Sequence, residues 1–164
     1  MISLRQDIFQ NDALKIATWL EDAEITSFLN EKENISQSIR HLVDSSKMPV
    51  YNQIFNQKGL FYLICLDQEA IGYVKFISKG THHEIVIAIG EKDLWGQGYG
   101  KKALKKALSE AFFAQRYQEI TAKIKVMNER SLTLFTHLGF DEEKVHEEML
   151  HLKIDFNTFI KKAA

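Results

Sequence analysis

The centre of the chain changes its hydrophobic period abruptly, and that change limits the folds open to it more than any other feature. In HHEIVIAIGE, residues 82–91, Ile85, Ile87 and Ile89 point one way and Glu84, Val86 and Ala88 the other, a strand with both faces in use. In KKALKKALSEAFFAQR, residues 101–116, Ala103, Leu104, Ala107, Leu108, Ala111 and Phe112 recur at helical spacing and form one broad apolar face. The loop WGQGYG, residues 95–100, leads from one to the other. A strand delivered through a glycine turn into an amphipathic helix must lay that helix back on its own sheet, so the chain predicts an α/β domain.

The flanking segments extend this pattern. Met1 to Arg5 suits an opening strand, and Asn11 or Asp12 caps a helix with Ala13, Ile16, Ala17 and Leu20 on one face. Ile35, Ile39, Leu42 and Val43 set a second helix from about Asn34 to about Asp44, and the only proline, Pro49, breaks the pattern after it. GLFYLICLD and EAIGYVKFIS, parted by the turn-prone Asp67 and Gln68, read as a hairpin. ITAKIKVM alternates as a strand ending at Met127, and Asn128 caps the short helix NERSLTLFTHLG, which Gly139 ends in a left-handed conformation. DEEKVHEEMLHLKIDF reads as two more strands before a frayed NTFIKKAA tail. Hairpins early and strand, helix, strand later predict a mixed sheet with helices over both faces.

At 164 residues the chain is sized for a single domain, 1–164, and its 45% hydrophobic content supplies a core. The 21 Lys and Arg nearly cancel the 22 Asp and Glu, so a net charge of -1 provides no global field for nucleic acid or anionic lipid. Any anion site is therefore local. Cys65 alone can make neither an internal disulfide nor a cysteine-built zinc site, and it reads as a small buried hydrophobe. The start is charged by Arg5, and no stretch has the roughly 18 apolar residues that span a bilayer. The expectation is a soluble cytoplasmic protein with no membrane or nucleic-acid partner.

Gly96, Gly98 and Gly100 lie between strand and helix, where backbone N–H groups can approach a ligand and the helix dipole favours negative charge. Glycines also serve plain turn geometry. Lys101, Lys102, Lys105 and Lys106 crowd the first two helical turns, where the dipole disfavours each cation by a few tenths to about 1 kcal/mol. A bound polyanion reverses that sign; otherwise Lys102, Lys105 and Lys106 are the solvated helix face. A nucleoside-triphosphate loop needs glycine where Trp95 stands and Ser or Thr where Lys102 stands. The dinucleotide fingerprint matches Gly98, Gly100 and Ala103, yet needs glycine directly after the strand, where EKDLW intervenes.

The pattern Arg/Gln-x-x-Gly-x-Gly/Ala does fit, with Trp95 at its first position. On IAIGEKDLWGQGYGKKAL, VMNERSLTLFTHLGF and, more loosely, WLEDAEITSFLNE, the chain resembles the GNAT superfamily of acyl-CoA-dependent N-acetyltransferases, closest to the branch of ribosomal-protein and polyamine acetyltransferases. The resemblance implies a GNAT-like mixed, mostly antiparallel sheet of about seven strands flanked by helices on both faces. It implies acetyl transfer from acetyl-CoA to a primary amine, either a small polyamine-like molecule or a peptide N-terminus, without a metal. The cofactor residues it implies are Ile89, Trp95, Gly96, Gln97, Gly98, Tyr99, Gly100, Lys101, Asn128 and Ser131, with amides from Gln97 to Lys101 on the pyrophosphate. The pantetheine arm would lie between splayed strands ending near Gly90 and Met127. Asn128 is equally a helix cap. Dimers are common among similar proteins, so a homodimer is among the expected partners.

Attack on a thioester needs a neutral amine, and a lysine-like amine of pKa near 10.4 costs roughly 4 to 5 kcal/mol to present neutral at pH 7. Glu84 is the candidate catalytic base; the alternative is a half-exposed strand carboxylate. His82 and His83 precede it, but neighbouring strand residues face opposite ways, so HHE is not a metal triad and no metal is assigned. The family's usual acid, a tyrosine, falls on Phe135, which has no proton to give. Tyr99, Tyr62 and Tyr73 are the substitutes, the last two more at home packed in the sheet. An N–H near Ala88 or Ile89 would stabilise the oxyanion. Glu21, Asp22, Glu24, Glu31 and Glu33 border the implied acceptor cleft and either draw a cationic amine or form a solvated face. Two other functions stay open: a CoA-binding protein with little turnover, because of Phe135, and a nucleotide or dinucleotide binder.

Overall fold

In the computed structural model, which describes residues 1–29, 31 and 34–163, the strands join one sheet. The chain runs β1 (Ile2–Arg5), α1 (Gln10–Leu20), α2 (Ala23–Thr26), α3 (Ile35–Ser45), α4 (Asn52–Phe55), β2 (Phe61–Leu66), β3 (Glu69–Ser78) and β4 (His83–Ile89). It continues through α5 (Tyr99–Ser109), β5 (Glu119–Lys125), α6 (Glu129–His137), β6 (Asp141–His146), β7 (Met149–Asp155) and α7 (Phe156–Ala163). Strand order is β1-β2-β3-β4-β5-β7-β6, and β4 with β5 is the one parallel neighbour pair among the described residues.

Side-chain alternation along β4 separates two cores. Ile85, Ile87 and Ile89 face the core shared with Ala103, Leu104, Ala107 and Leu108 of α5. Val86 and Ala88 face the opposite core, with Ala13, Ile16 and Trp19 of α1 and Ile39 of α3. Asp67 and Gln68 both take left-handed conformations (φ 49 and 77), the backbone a two-residue hairpin turn requires, and they join β2 to β3 as expected. Gly139 likewise has φ 110 after α6.

The structure corrects four expectations about these elements. Helix α1 begins before Asn11: Asp12 acts from inside its first turn, its carboxylate accepting the Phe9 N–H at 3.0 Å. Trp19, rather than Leu20, is the large buried side chain near the end of that helix. Strand β5 stops at Lys125, whose carbonyl accepts the Asn128 N–H (2.9 Å) as the chain turns, and Met127 is left exposed. The tail is not frayed; Asp155 accepts the Thr158 N–H at 2.8 Å to start α7, and Phe159 packs against Phe112 with ring centroids 5.2 Å apart.

Helices cover both faces of the β1 to β4 half. On β5 and β7, Ile120, Ala122, Ile124, Leu150, Leu152 and Ile154 pack into the α5 core, whereas Lys123, His151 and Lys153, on the other side, stay polar and at least partly open to solvent. Among the described residues no helix is long and apolar enough to cross a membrane.

Candidate active site

Strands β4 and β5 touch only at their starts, with His83 opposite Ile120 and Glu84 opposite Thr121. Beyond that rung each follows a different antiparallel partner: β4 stays on β3 out to Ile89, and β5 stays on β7 out to Lys125. A right-handed twist then carries the two strands apart. The gap opens into a cleft of about 590 Å³.

Backbone polarity in the gap follows from two contacts. The Ala88 carbonyl is directed at β3, where a side chain on Gly72 would meet it at 2.2 Å, while the His83 carbonyl is directed at β5, accepting from Thr121 Oγ1 at 3.5 Å. Alternation therefore turns the N–H and C=O of Ile87 and the N–H of Ile89 into the gap past the Glu84 rung, while the Ile89 carbonyl is taken by the Trp95 indole. Of the two amides considered for an oxyanion, Ala88's belongs to the β3 side and only Ile89's faces the cleft.

At the wide end stands the glycine loop. Gly96 (φ 80) and Gly98 (φ 86) take backbone conformations that L side chains rarely adopt, and a Cβ on either would meet nothing within 4 Å. These glycines are there for conformation and leave open space beside the start of α5, whose first-turn N–H groups lack intrahelical acceptors. Gly100 differs: it has no positive φ, and a Cβ there would make ordinary contact with Leu134 (3.8 Å) and Ile89 (4.0 Å).

Trp95 explains its own departure from the expected Arg or Gln. Its indole N–H donates to the Ile89 carbonyl at 2.8 Å and ties the loop to the end of β4. The Arg130 guanidinium lies 5.7 Å from the centre of its ring, and Arg130 also lines the cleft. Sequence reasoning missed that cation; its signal was a basic residue two places after the helix-capping Asn128.

Ile89, Trp95, Gly96, Gly98, Tyr99, Gly100, Asn128 and Ser131 all line the cleft. Gln97 and Lys101 do not: the Gln97 amide turns back to donate to the Asp93 carbonyl at 3.0 Å, and Lys101 points to solvent. Lys101, Lys102, Lys105 and Lys106 are exposed, and among the described residues none of them enters an ion pair. Asn128 accepts the Ser131 N–H at 3.3 Å, so it does cap α6, and its amide NH2 is left for another partner. Phe135 is buried on the cleft wall and packs edge-on against Phe140.

Of the tyrosines considered as acids, only Tyr99 lines the cleft. Tyr62 donates to Glu110 at 3.1 Å, and burial together with that carboxylate pushes its phenol far up. Tyr73 donates to Glu31 at 2.9 Å, and burial first, then Glu31, holds its phenol well above the usual range.

Glu84 is buried rather than half-exposed, and Lys123 Nζ stands 3.4 Å from its Oε1. It lies where the cleft meets a smaller recess of about 250 Å³ that also holds Lys123, His82 and His151. His83 turns away and stacks on Tyr117, ring centroids 3.5 Å apart, so the HHE residues do not converge. The early acidic residues are paired: Glu21 with Arg40 (2.7 Å), Asp22 and Glu24 with Lys92 (2.8 and 3.5 Å), Glu31 with Lys75 (2.8 Å). Glu33 lies outside the described residues.

Residues 4–141 match the family described as "Acetyltransferase (GNAT) domain". A curated relative, an N-acetyltransferase 9-like protein from Nematostella vectensis, is 42% identical over 79 residues, 46% of this chain and 39% of that protein. The match thus spans well under half of that relative's length. Among solved structures, the spermidine N-acetyltransferase from Vibrio cholerae in complex with CoA and spermine superposes with a TM-score of 0.78 at 17% identity, covering 97% of this chain and 98% of that one. A domain from Methanocaldococcus jannaschii gives 0.73 at 23% identity, covering 95% and 99%. At such identities the two structures speak to fold alone.

Proposed function

The chain belongs to the GNAT acetyltransferase domain family, and from that premise we propose that it transfers an acetyl group from acetyl-CoA to a primary amine by direct attack on the thioester. One observation carries the proposal: a strand pair that parts after its second rung, and a glycine loop with room for an anion on the same cleft. The V. cholerae neighbour is described in complex with CoA and spermine, which supports the same pairing of cosubstrate and amine here.

Acetyl-CoA supplies the activated acyl group. The chain's own residues supply its setting. The first N–H groups of α5, with Gly96 and Gly98 keeping the approach open, receive the diphosphate, and Arg130 and the unpaired lysines of α5 add positive charge nearby. The gap-facing N–H and C=O of Ile87 and the Asn128 amide offer the hydrogen bonds an amide-bearing arm needs. The Ile89 N–H faces the cleft as a donor of the kind that stabilises a developing oxyanion. Glu84, buried beside Lys123 at the closed end, takes a proton from the amine directly or through water. Tyr99 is the phenol available to the leaving sulfur, and a thiol of pKa near about 8.5 leaves tolerably without one.

A second reading, a protein that holds CoA with little turnover, is favoured by Phe135 alone. Thermal-shift measurements with acetyl-CoA, ATP and NAD, followed by thiol release over an amine panel, separate the readings. Stabilisation by acetyl-CoA with amine-dependent thiol release is expected. Stabilisation by NAD or ATP instead overturns the assignment, and stabilisation by acetyl-CoA without thiol release leaves the second reading standing.

A further inference from the structure

The acceptor side of the cleft already holds an amine that belongs to the chain. Ile120, Ala122 and Ile124 of β5 face the α5 core, so Lys123 points the other way, onto the face that carries Glu84, Val86 and Ala88 of β4. Among the described residues it is the one lysine on the cleft lining, and it also lines the smaller recess behind Glu84. Its position along the gap matters as much as its side. The rung between Glu84 and Thr121, continued two residues along both parallel strands, brings Lys123 level with Val86. An acceptor amine has to stand between Glu84, which takes its proton, and the stretch from Ile87 to Ile89, whose gap-facing groups hold the thioester. Lys123 occupies that interval. Its side chain is partly open to solvent on a flexible four-carbon stem, so Nζ can leave the Glu84 carboxylate and swing along the gap toward Ile87.

From this we propose that Lys123 is itself an acetyl acceptor, modified on Nζ by the acetyl-CoA held in the same chain when no other amine occupies the cleft. The proposal rests on the transfer reading above and adds a modification site to it. At pH 7 roughly one lysine side chain in 2,500 is neutral, from a pKa of about 10.4. Glu84 offsets that scarcity, because its Oε1 stands 3.4 Å from Nζ and can take the proton the ammonium gives up. Tethering offsets it further, since an amine fixed to the cleft wall meets the thioester in a unimolecular step. In that step Nζ passes one proton to Glu84 and attacks the acetyl carbon. The C–N bond forms, the C–S bond breaks, and the second proton lost from nitrogen goes to the departing thiolate. The products are an acetylated lysine and free CoA thiol, and Glu84 returns its proton to water. Acetylation removes the charge of Lys123, so the buried Glu84 carboxylate loses its cation and an acetamide stands in the acceptor's place. The modified chain should therefore turn over other amines more slowly.

The test incubates the full chain with acetyl-CoA and no added amine, and follows each lysine over time by peptide mapping in a mass spectrometer. Lys47 and Lys161, both exposed and outside the cleft lining, report unassisted acetylation. Lys123 is expected to be labelled at least about tenfold faster than either, at a rate independent of protein concentration, as a tethered amine requires. Glu84→Gln should slow the labelling of Lys123 and leave Lys47 and Lys161 unchanged. Lys123 labelled no faster than those two overturns the proposal. A rate that rises with protein concentration overturns its same-chain part, and unchanged labelling in Glu84→Gln overturns the part given to Glu84. Thiol release over an amine panel, measured separately, tests the transfer reading. Amine-dependent release with Lys123 unlabelled overturns the proposal alone. Labelled Lys123 without amine-dependent release upholds it while transfer to a free amine fails, and neither signal overturns both.

Discussion

Glu84 Oε1 stands 3.4 Å from Lys123 Nζ, at the last rung where β4 and β5 still pair. The partners are unequal: the Glu84 side chain is 10% exposed and that of Lys123 36%. The ammonium can swing to solvent, but the carboxylate has nowhere to go.

Removing Lys123 should therefore harm the fold more than removing both charges. Lys123→Met strands a buried carboxylate and is expected to cost about 1–3 kcal/mol. Glu84→Gln with Lys123→Met should recover most of that loss, read from denaturant midpoints at unchanged slope. Equal midpoints for the single and double variants would mean that the pair adds nothing. In the assay, Glu84→Gln should lower kcat by about 100-fold or more while acetyl-CoA still binds. An unchanged kcat removes Glu84 from the mechanism.

The loop glycines should differ in what they tolerate. Gly98→Glu forces an L residue to φ 86, which costs about 1–2 kcal/mol, and sets a carboxylate where the anion would lie. Loss of acetyl-CoA binding by calorimetry is expected. Gly100→Ala meets only ordinary contacts and should keep Kd within about threefold. The reverse order would show that the anion does not sit at Gly98.

Gly90 is glycine for a different reason. Its φ is unremarkable, but a Cβ there would fall 2.1 Å from the Trp19 ring. Gly90→Ala should cost about 1–3 kcal/mol by pushing α1 off the end of β4. Adding Trp19→Leu should return part of the loss, whereas strictly additive losses would place the strain elsewhere.

Two histidines should make stability fall on mild acidification. Burial and then His82 depress the His83 pKa, and burial followed by Lys123 and Lys144 depresses that of His151. A histidine whose folded pKa lies below its unfolded value takes its proton more readily when unfolded, so stability rises with pH through that window. Unfolding midpoints should drop between about pH 7 and pH 5, and His83→Gln with His151→Gln should flatten the slope. A slope that survives both changes would assign the effect to other groups.

Local periodicity carried much of the fold. The alternation of Ile85, Ile87 and Ile89 against Val86 and Ala88 survives as two separate cores, and Asn128 and Gly139 bound α6 as their residue types required. Misreadings arose where a side chain acts on backbone that its own pattern does not reveal. Asp12 stabilises the helix start from within the first turn, and Asp155 starts α7 while Phe159 packs that helix against Phe112. Trp95 looked like a departure from a pattern until its indole was seen on the Ile89 carbonyl.

The amino-acid order by itself determined which stretches alternate, which turn on glycine and which carry one apolar face, because those are properties of neighbours along the chain. Tertiary structure alone decided that β4 and β5 part after Glu84, that Lys123 is Glu84's partner and that Glu21, Asp22, Glu24 and Glu31 each lie beside a cation. Each of those depends on groups brought together from distant segments. The gap exists because two parallel strands joined through a helix each keep faith with a different antiparallel neighbour, and their twist does the rest.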